Sequence, residues 1–479
     1  MRAFPVRTRP LRRVRALRGR VPLAVPAVAA VLAAPLLVVP GGPAAATAAG
    51  TAAGTAAGTA AGTAAGTAAG TVPVSSTAAV AAAGRQARRV PARSIVHTWF
   101  DTQAALAGGT HRGTAAVDGD LVLASPAATR RRGGTAYDLG AWLSPWVRPG
   151  FGVTELIPSW QARTPGDSLV QVELRGRDRD GRLSSWDTLA EWANPDGRVR
   201  RTTRSGQADD LGRVSVDTWR AARVQGVVSW QVRVTLMRRA GTAAAPAVDA
   251  VGAVASRLPS PSTPVPTSTP GPGRGVAIDL PRWSQYTHTD HYPQWGGGGE
   301  AWCAPTSVSM VLGGYGRLPM PREYRFVPTD HPEPWVDHAA RYTYDHGYGG
   351  TGNWAFGTAY AALRGTDAFV TRLRSLREAE DFVVAGIPLV ASIAFARGEL
   401  SGAPISSSAG HLLVVAGFTD DGDVVVNDPA GRGTASSPVR RVYDRAEFER
   451  LWLRASGGAV YVIRPDGAPL PARGKRRNW

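Results

Sequence analysis

Residues 296–312 read GGGGEAWCAPTSVSMVL, and Cys303 within them is the only cysteine among 479 residues. A thiol does chemistry when its thiolate is favoured, because the thiolate is the nucleophile. Ala304, Val308, Val311 and Leu312 are spaced as the apolar stripe of a helix. Pro305 suits the first turn of that helix and Gly313-Gly314 its end. Cys303 then lies where unpaired backbone N–H groups and the positive end of the helix dipole favour the thiolate. An inert cysteine belongs on the apolar face in mid-helix, whereas here Ala304 starts the stripe. The glycine run ahead of Cys303 supplies pliable backbone that a substrate can approach.

A thiol nucleophile needs a base that later protonates the leaving group. Of eight histidines, His411 is the best placed, opening a strand after SSSAG with an apolar run behind it. A third group should orient the imidazole, and Asn427 and Asp428 are the candidates. Asp421-Gly422 has the composition of a two-residue hairpin turn. That turn would pair Asp420 with Asp423 and set Asp428 opposite Val415. Asp428 would then share the face of His411, and Asn427 the other face. The ideal ladder leaves Asp428 four residues along from His411, roughly 13 Å. Twist, a bulge or the loop must close that gap. His288 and His291, in HTDH, lack a convincing third metal ligand nearby in sequence, so no metal and no cofactor is expected.

The elements that must hold these residues lie in a mixed C-terminal unit, about 276–466. SLREAEDFVVAG reads as a helix with a capping box, Ser375 with Glu378, ending at Gly386. IPLVASIAF reads as a buried strand and GHLLVVAGFTDDGDVVVNDP as the hairpin. YDRAEFERLWL repeats the capping logic with Asp444 and Glu447, and GGAVYVIRP is a last strand.

Upstream, residues 94–256 have the pattern of an all-β, sandwich-like accessory domain. In VVSWQVRVTLM, Val228, Trp230, Val232, Val234 and Leu236 alternate with Ser229, Gln231, Arg233 and Thr235, the period of a half-buried strand. Val170, Val172 and Leu174 point inward on another strand, and GRVSVDTW is a further one. Trp160, Trp186, Trp192 and Trp219 read as core and rim residues rather than a carbohydrate face. Residues 257–275, rich in Pro, Ser and Thr, form an extended linker dividing two folded units.

The C-terminal unit resembles papain-like cysteine peptidases, closest to the bacteriocin-processing, double-glycine leader peptidase type and its secreted bacterial relatives. The matching segments are LPRWSQY, WCAPTSVSMVL and GHLLVVAGF…VVVNDPA, in the family's order. The resemblance implies an α+β chain whose C-terminal part has a papain-like fold. By position it implies Cys303 as nucleophile, His411 as general base and Asp428 as orienter. It also implies a glutamine in the oxyanion hole. Gln285 matches the SQ context, and Gln294, nearer to Cys303, is its rival. Ala304 follows the cysteine where many relatives have Gly.

The ends bound where such an enzyme would work. Residues 1–46 combine eight arginines, an apolar run and a small-residue end, a secretory signal. No later run reaches the ~20 apolar residues of a membrane span. Six TAAG copies at 47–70 begin a low-complexity spacer reaching residue 93. The net charge is +18, and loss of the signal's arginines would leave about +10. Arg dominates the basic residues, Lys475 being the sole lysine. The basic tail 467–479, ending RGKRRNW, reads as a solvated terminus that can meet anionic cell-wall polymers. Motifs for nucleic-acid binding are absent. The expected function is a secreted cysteine peptidase acting on a peptide or protein. The alternatives are a peptidoglycan amidase or endopeptidase, and a catalytically silent binding protein.

Overall fold

The structure, a computed structural model, describes residues 92–479. The signal 1–46 and nearly all of the spacer 47–93 lie outside the described residues. The described chain is α+β and predominantly β, with six α-helices.

Residues 94–257 build two seven-stranded sheets in which every pairing is antiparallel. One centres on strand Ala247–Arg257 paired with Glu155–Arg163, the other on Ser229–Arg239 paired with Leu169–Arg177. Their facing sides share one core, where Trp160 of the first sheet meets Trp192 of the second edge-on at 6.0 Å. Val170, Val172, Leu174, Trp230, Val232, Val234 and Leu236 point into that core, as their alternation predicts. The polar face of Ser229–Arg239 is covered too: Arg233 pairs with Glu173 and lies over Trp186, beside Arg175 hydrogen-bonded to Gln231. The strand is therefore buried on both sides, not half-buried. GRVSVDTW is not one strand but a tight hairpin, Gly212–Ser215 with Thr218–Ala221. Trp160, Trp192 and Trp219 are fully buried, and Trp186 sits at the rim under arginines.

The C-terminal part is a six-stranded antiparallel sheet in the order Thr366–Arg372, Ala459–Pro465, Leu389–Phe395, Ser408–Phe418, Val424–Asn427 and Arg440–Tyr443. Helix Cys303–Gly314 crosses the strand Ser408–Phe418, and Ser307 Oγ donates to Leu412 O at 3.1 Å. Every residue of that helix from Ala304 to Leu312 is buried, so the expected stripe widens to the whole circumference.

The linker separates the two parts in sequence but not in space. Phe356, on helix Trp354–Ala362, enters the accessory core between Trp160 and Trp192, at 6.0 and 5.4 Å. Val370 N–H donates to Ser159 Oγ, and Trp354 N–H to Asp217 Oδ2. Arg201, fully buried, pairs with Asp196 and donates to Arg341 O and Tyr344 O. The linker's own amides are held by carboxylates: Ser268 N–H on Glu449, Gly271 and Gly273 N–H on Glu380.

Two local expectations change for one reason. Helix Leu376–Val384 starts after Ser375 as expected, but Ser375 makes no side-chain cap. Glu449 caps it instead, accepting from Leu376 N–H at 2.7 Å, while Glu378 accepts from Arg374 N–H and Asn478 Nδ2. The tail is thus docked, not solvated. Asn478 Nδ2 also donates to Arg372 O, Trp479 packs on Phe382 and Arg476 pairs with Asp381. At the later helix, Asp444 does cap Glu447 N–H, while Glu447 turns to Ser401.

A core shared across the linker should melt as one. Denaturant unfolding of the chain, followed by tryptophan fluorescence and by circular dichroism, should give coincident transitions. Phe356→Ala should cost about 3–5 kcal/mol and shift both probes together. Two separated transitions would contradict a common core.

Candidate active site

Cys303 opens its helix with Trp302 as the residue before it, and Trp302 is itself fully buried with its indole N–H on Trp295 O. The thiol is half-buried. Against burial, its ionisation is favoured by the His411 ring and by the Leu412 N–H. His411 Nε2 is 2.8 Å from Asp428 Oδ1. Asp428 is buried and saturated: Oδ1 also accepts from Ala430 N–H at 2.9 Å, and Oδ2 from Tyr443 Oη at 2.6 Å.

The hairpin closes the gap that an ideal ladder leaves. The turn has three residues, not two: Gly422 N–H donates to Thr419 O, and Thr419 N–H to Asp423 O. Gly422 takes φ +95°, the conformation that ends such a loop. The ladder runs Phe418 with Val424 and Gly417 with Val425, skips Ala416 in a bulge, then resumes with Val415 on Val426 and Val414 on Asn427. Turn and bulge each slip the register by one and flip the faces. Together they restore the parity and draw Asp428 level with Leu413, two residues from His411 instead of four. Asp428 N–H is then pinned to Val439 O, just before the next strand. Asn427 points away and donates to Pro281 O.

The charges follow from these contacts. Burial alone would push the His411 ring down, but the Asp428 carboxylate, then Cys303, overcome it and lift the ring to about 10. Burial opposes ionisation of Cys303, yet the His411 ring and the Leu412 N–H hold the thiol below its usual range. Burial likewise opposes ionisation of Asp428, and His411, Tyr443 and the Ala430 N–H outweigh it. The arrangement favours a thiolate beside an imidazolium, across the interval between the lowered thiol and the raised ring.

The two glutamines separate. Gln285 is buried, with its backbone N–H on Pro429 O and its side-chain Nε2 on Glu300 O at 2.6 Å, three residues before Cys303. Gln294 is exposed on a turn. The glycine run brings Gln285 close. Gly298 takes φ +83°, and a Cβ on Gly299 would fall 2.6 Å from Gln285 O. Gly299 thus permits a tight crossing over the backbone of residues 285–288.

Sequence reasoning missed Tyr443, whose only signal was its place at the end of a strand next to the hairpin. It also missed the accessory domain's electrostatic link to Tyr348. The Tyr348 phenol is raised first by burial, then by Asp217 of the accessory hairpin, by Cys303 and by Asp345. Asp345 in turn binds Thr203 through its N–H and hydroxyl.

Ultraviolet thiolate absorbance should appear below the ~8.5 of a free cysteine and vanish in Cys303→Ser. The His411 ring, followed by NMR, should titrate near pH 10. In Asp428→Asn it should titrate lower, because removing the negative charge disfavours the imidazolium. An unchanged His411 titration in Asp428→Asn would contradict this pairing.

Residues 95–256 match the family model described as the Peptidase C39 N-terminal domain, and residues 277–460 match that of the Peptidase_C39 like family. Comparison with curated proteins returned no significant match. The two models meet the chain on both sides of the linker, covering the accessory sheets and the segment from Gln285 to Asp428. This chain therefore belongs to the peptidase C39 family of papain-like cysteine peptidases.

Proposed function

We propose that this protein is an exported peptidase that hydrolyses peptide bonds through Cys303, His411 and Asp428. The observation that carries the reading is the single imidazole of His411, bonded through Nε2 to Asp428 and, against burial, raised in pKa by both Asp428 and Cys303. Membership of a peptidase family makes a peptide or protein the substrate. Export rests on the composition of residues 1–46. Among the described residues no helix is long and apolar enough to cross a membrane.

The Cys303 thiolate attacks the scissile carbonyl carbon, and the carbonyl π pair moves onto oxygen. The Cys303 backbone N–H, at the start of its helix, and the Gln285 amide receive that oxyanion. The Gln285 NH2 carries two protons. One on Glu300 O holds the side chain still, and the second is left for the oxyanion. The tetrahedral centre collapses as the imidazolium of His411 protonates the leaving amine, giving a thioester. His411, now neutral, takes a proton from water as it attacks the thioester, and collapse of that second tetrahedral centre expels the Cys303 thiolate and restores the thiolate-imidazolium pair. Asp428 keeps the ring oriented through both half-reactions, and Tyr443 keeps Asp428 oriented.

Cleavage of a peptide library by the wild type and by Cys303→Ser, side by side, tests the reading. Cys303→Ser and His411→Ala should lose turnover to background while melting as the wild type does. Turnover retained in either would overturn the mechanism. Purified peptidoglycan in parallel separates a protein substrate from a wall substrate.

Gln285→Ala should lower kcat by about a hundredfold, the scale of one oxyanion donor. Gln294→Ala should leave kcat unchanged, and the reverse pattern would exchange their roles.

A further inference from the structure

The segment between Gln285 and Cys303 has little regular structure: a short 3-10 turn at Gln285–His288, another at Gly299–Ala301 and no strand. It is nevertheless anchored against helix Pro334–Thr343 by a compact group of ionisable side chains. Asp337, on the first turn of that helix, is fully buried. Its Oδ2 is 3.1 Å from His288 Nδ1, and its Oδ1 is 2.9 Å from His291 Nδ1. The three donor atoms lie within 4.8 Å of one another. The third ligand that HTDH lacks in sequence is thus supplied by a helix more than forty residues further on.

We propose that His288, His291 and Asp337 hold one divalent zinc-like cation that staples the Gln285–Cys303 segment to helix Pro334–Thr343. Four features support it. Zinc bonds of about 2.0 Å in a tetrahedron place donor atoms about 3.3 Å apart, and the donor atoms here, all within 4.8 Å of one another, reach that spacing by side-chain rotation. The Asp337 carboxyl is buried, yet among the described residues its ion pairs come from imidazoles alone, with no Arg or Lys. A buried carboxylate of this kind requires a compensating cation.

The far side of His288 is also arranged for a metal. Its Nε2 is fully buried without a hydrogen bond and faces Glu333 Oε2 at 3.4 Å, itself unpartnered. A carboxylate on the distal nitrogen is the usual companion of a metal-bound histidine, fixing the tautomer that leaves the proximal nitrogen free to ligate. Finally, a set of two imidazoles and one carboxylate suits zinc, and not calcium or magnesium, which take oxygen ligands. His331 covers the outer side without ligating. Its ring stacks parallel on His291 at 3.6 Å, so a metal in the plane of His291 lies out of its own. Water completes the tetrahedron. Binding replaces any proton on the two Nδ1 atoms with the metal and releases it to solvent.

The inference does not rest on the peptidase reading, and its test keeps the two apart. An untagged chain carrying Cys303→Ser removes the thiol as a rival zinc ligand. Purified without chelator, it should contain about one zinc per chain. Stripped with a chelator, it should regain zinc and gain several degrees in Tm. Cobalt in place of zinc should show the intense visible bands of a tetrahedral site. Adding His291→Ala, a partly exposed position, or Asp337→Asn should abolish uptake and the zinc-dependent part of the Tm gain. Adding His331→Ala should preserve both. Failure of the Cys303→Ser chain to take up zinc, or uptake undiminished by His291→Ala and Asp337→Asn, would overturn the proposal. The first result would mean that a protonated His288 neutralises Asp337 instead.

Discussion

A buried carboxylate beside a buried imidazole costs several kcal/mol of desolvation unless every lone pair and proton is satisfied. Asp428 meets that demand through His411, Ala430 N–H and Tyr443, on both of its oxygens. Much of the C-terminal architecture serves this one contact. The three-residue turn and the bulge at Ala416 set its register, and the strand Arg440–Tyr443 delivers the tyrosine. The Asp428 backbone is tied to Val439, and the next carbonyl, Pro429 O, takes the Gln285 N–H. Asp428, bonded to the imidazole, and Gln285 are therefore tied together through adjacent residues.

The accessory sheets belong to the same body. Their core admits Phe356, and their polar loops satisfy buried groups of the C-terminal part. Asp217 caps the helix that carries Phe356, Thr203 binds Asp345, and Arg201 fills a cluster of carbonyl oxygens. Each of these buried groups would lose hydrogen bonds without its partner, which makes the accessory region a structural component rather than an appended module. The linker gains its own order from Glu380 and Glu449, and the tail from Asn478.

Local patterns carried a good part of this into the sequence. The helix at Cys303, the strands at Leu389 and Ala459, the helix starts at Ser375 and Asp444, and the alternation in the accessory strands were all legible, because periodicity and capping act over a few residues. Where reading failed, a distant partner had intervened. Glu378 leaves its own cap for Asn478, and the tail docks because that asparagine finds Arg372 and Glu378. The two slips of hairpin register were invisible for the same reason. A turn of three residues and a turn of two differ by little locally, and the choice is made by which side chains must be buried.

By itself, the sequence determined which chemical groups were available and in what order: one thiol at a helix start, an imidazole on a strand, a carboxylate just beyond the hairpin. Those assignments rest on short-range backbone preferences that a local stretch encodes completely. Tertiary structure alone decided the distances. It buried Gln285 under a glycine loop and left Gln294 exposed, and it placed Asp428 within 2.8 Å of His411 through two compensating register shifts. It also set Asp337 between His288 and His291. Contacts of this kind depend on how whole elements pack, and packing is settled by burial across the entire chain, which no local pattern contains.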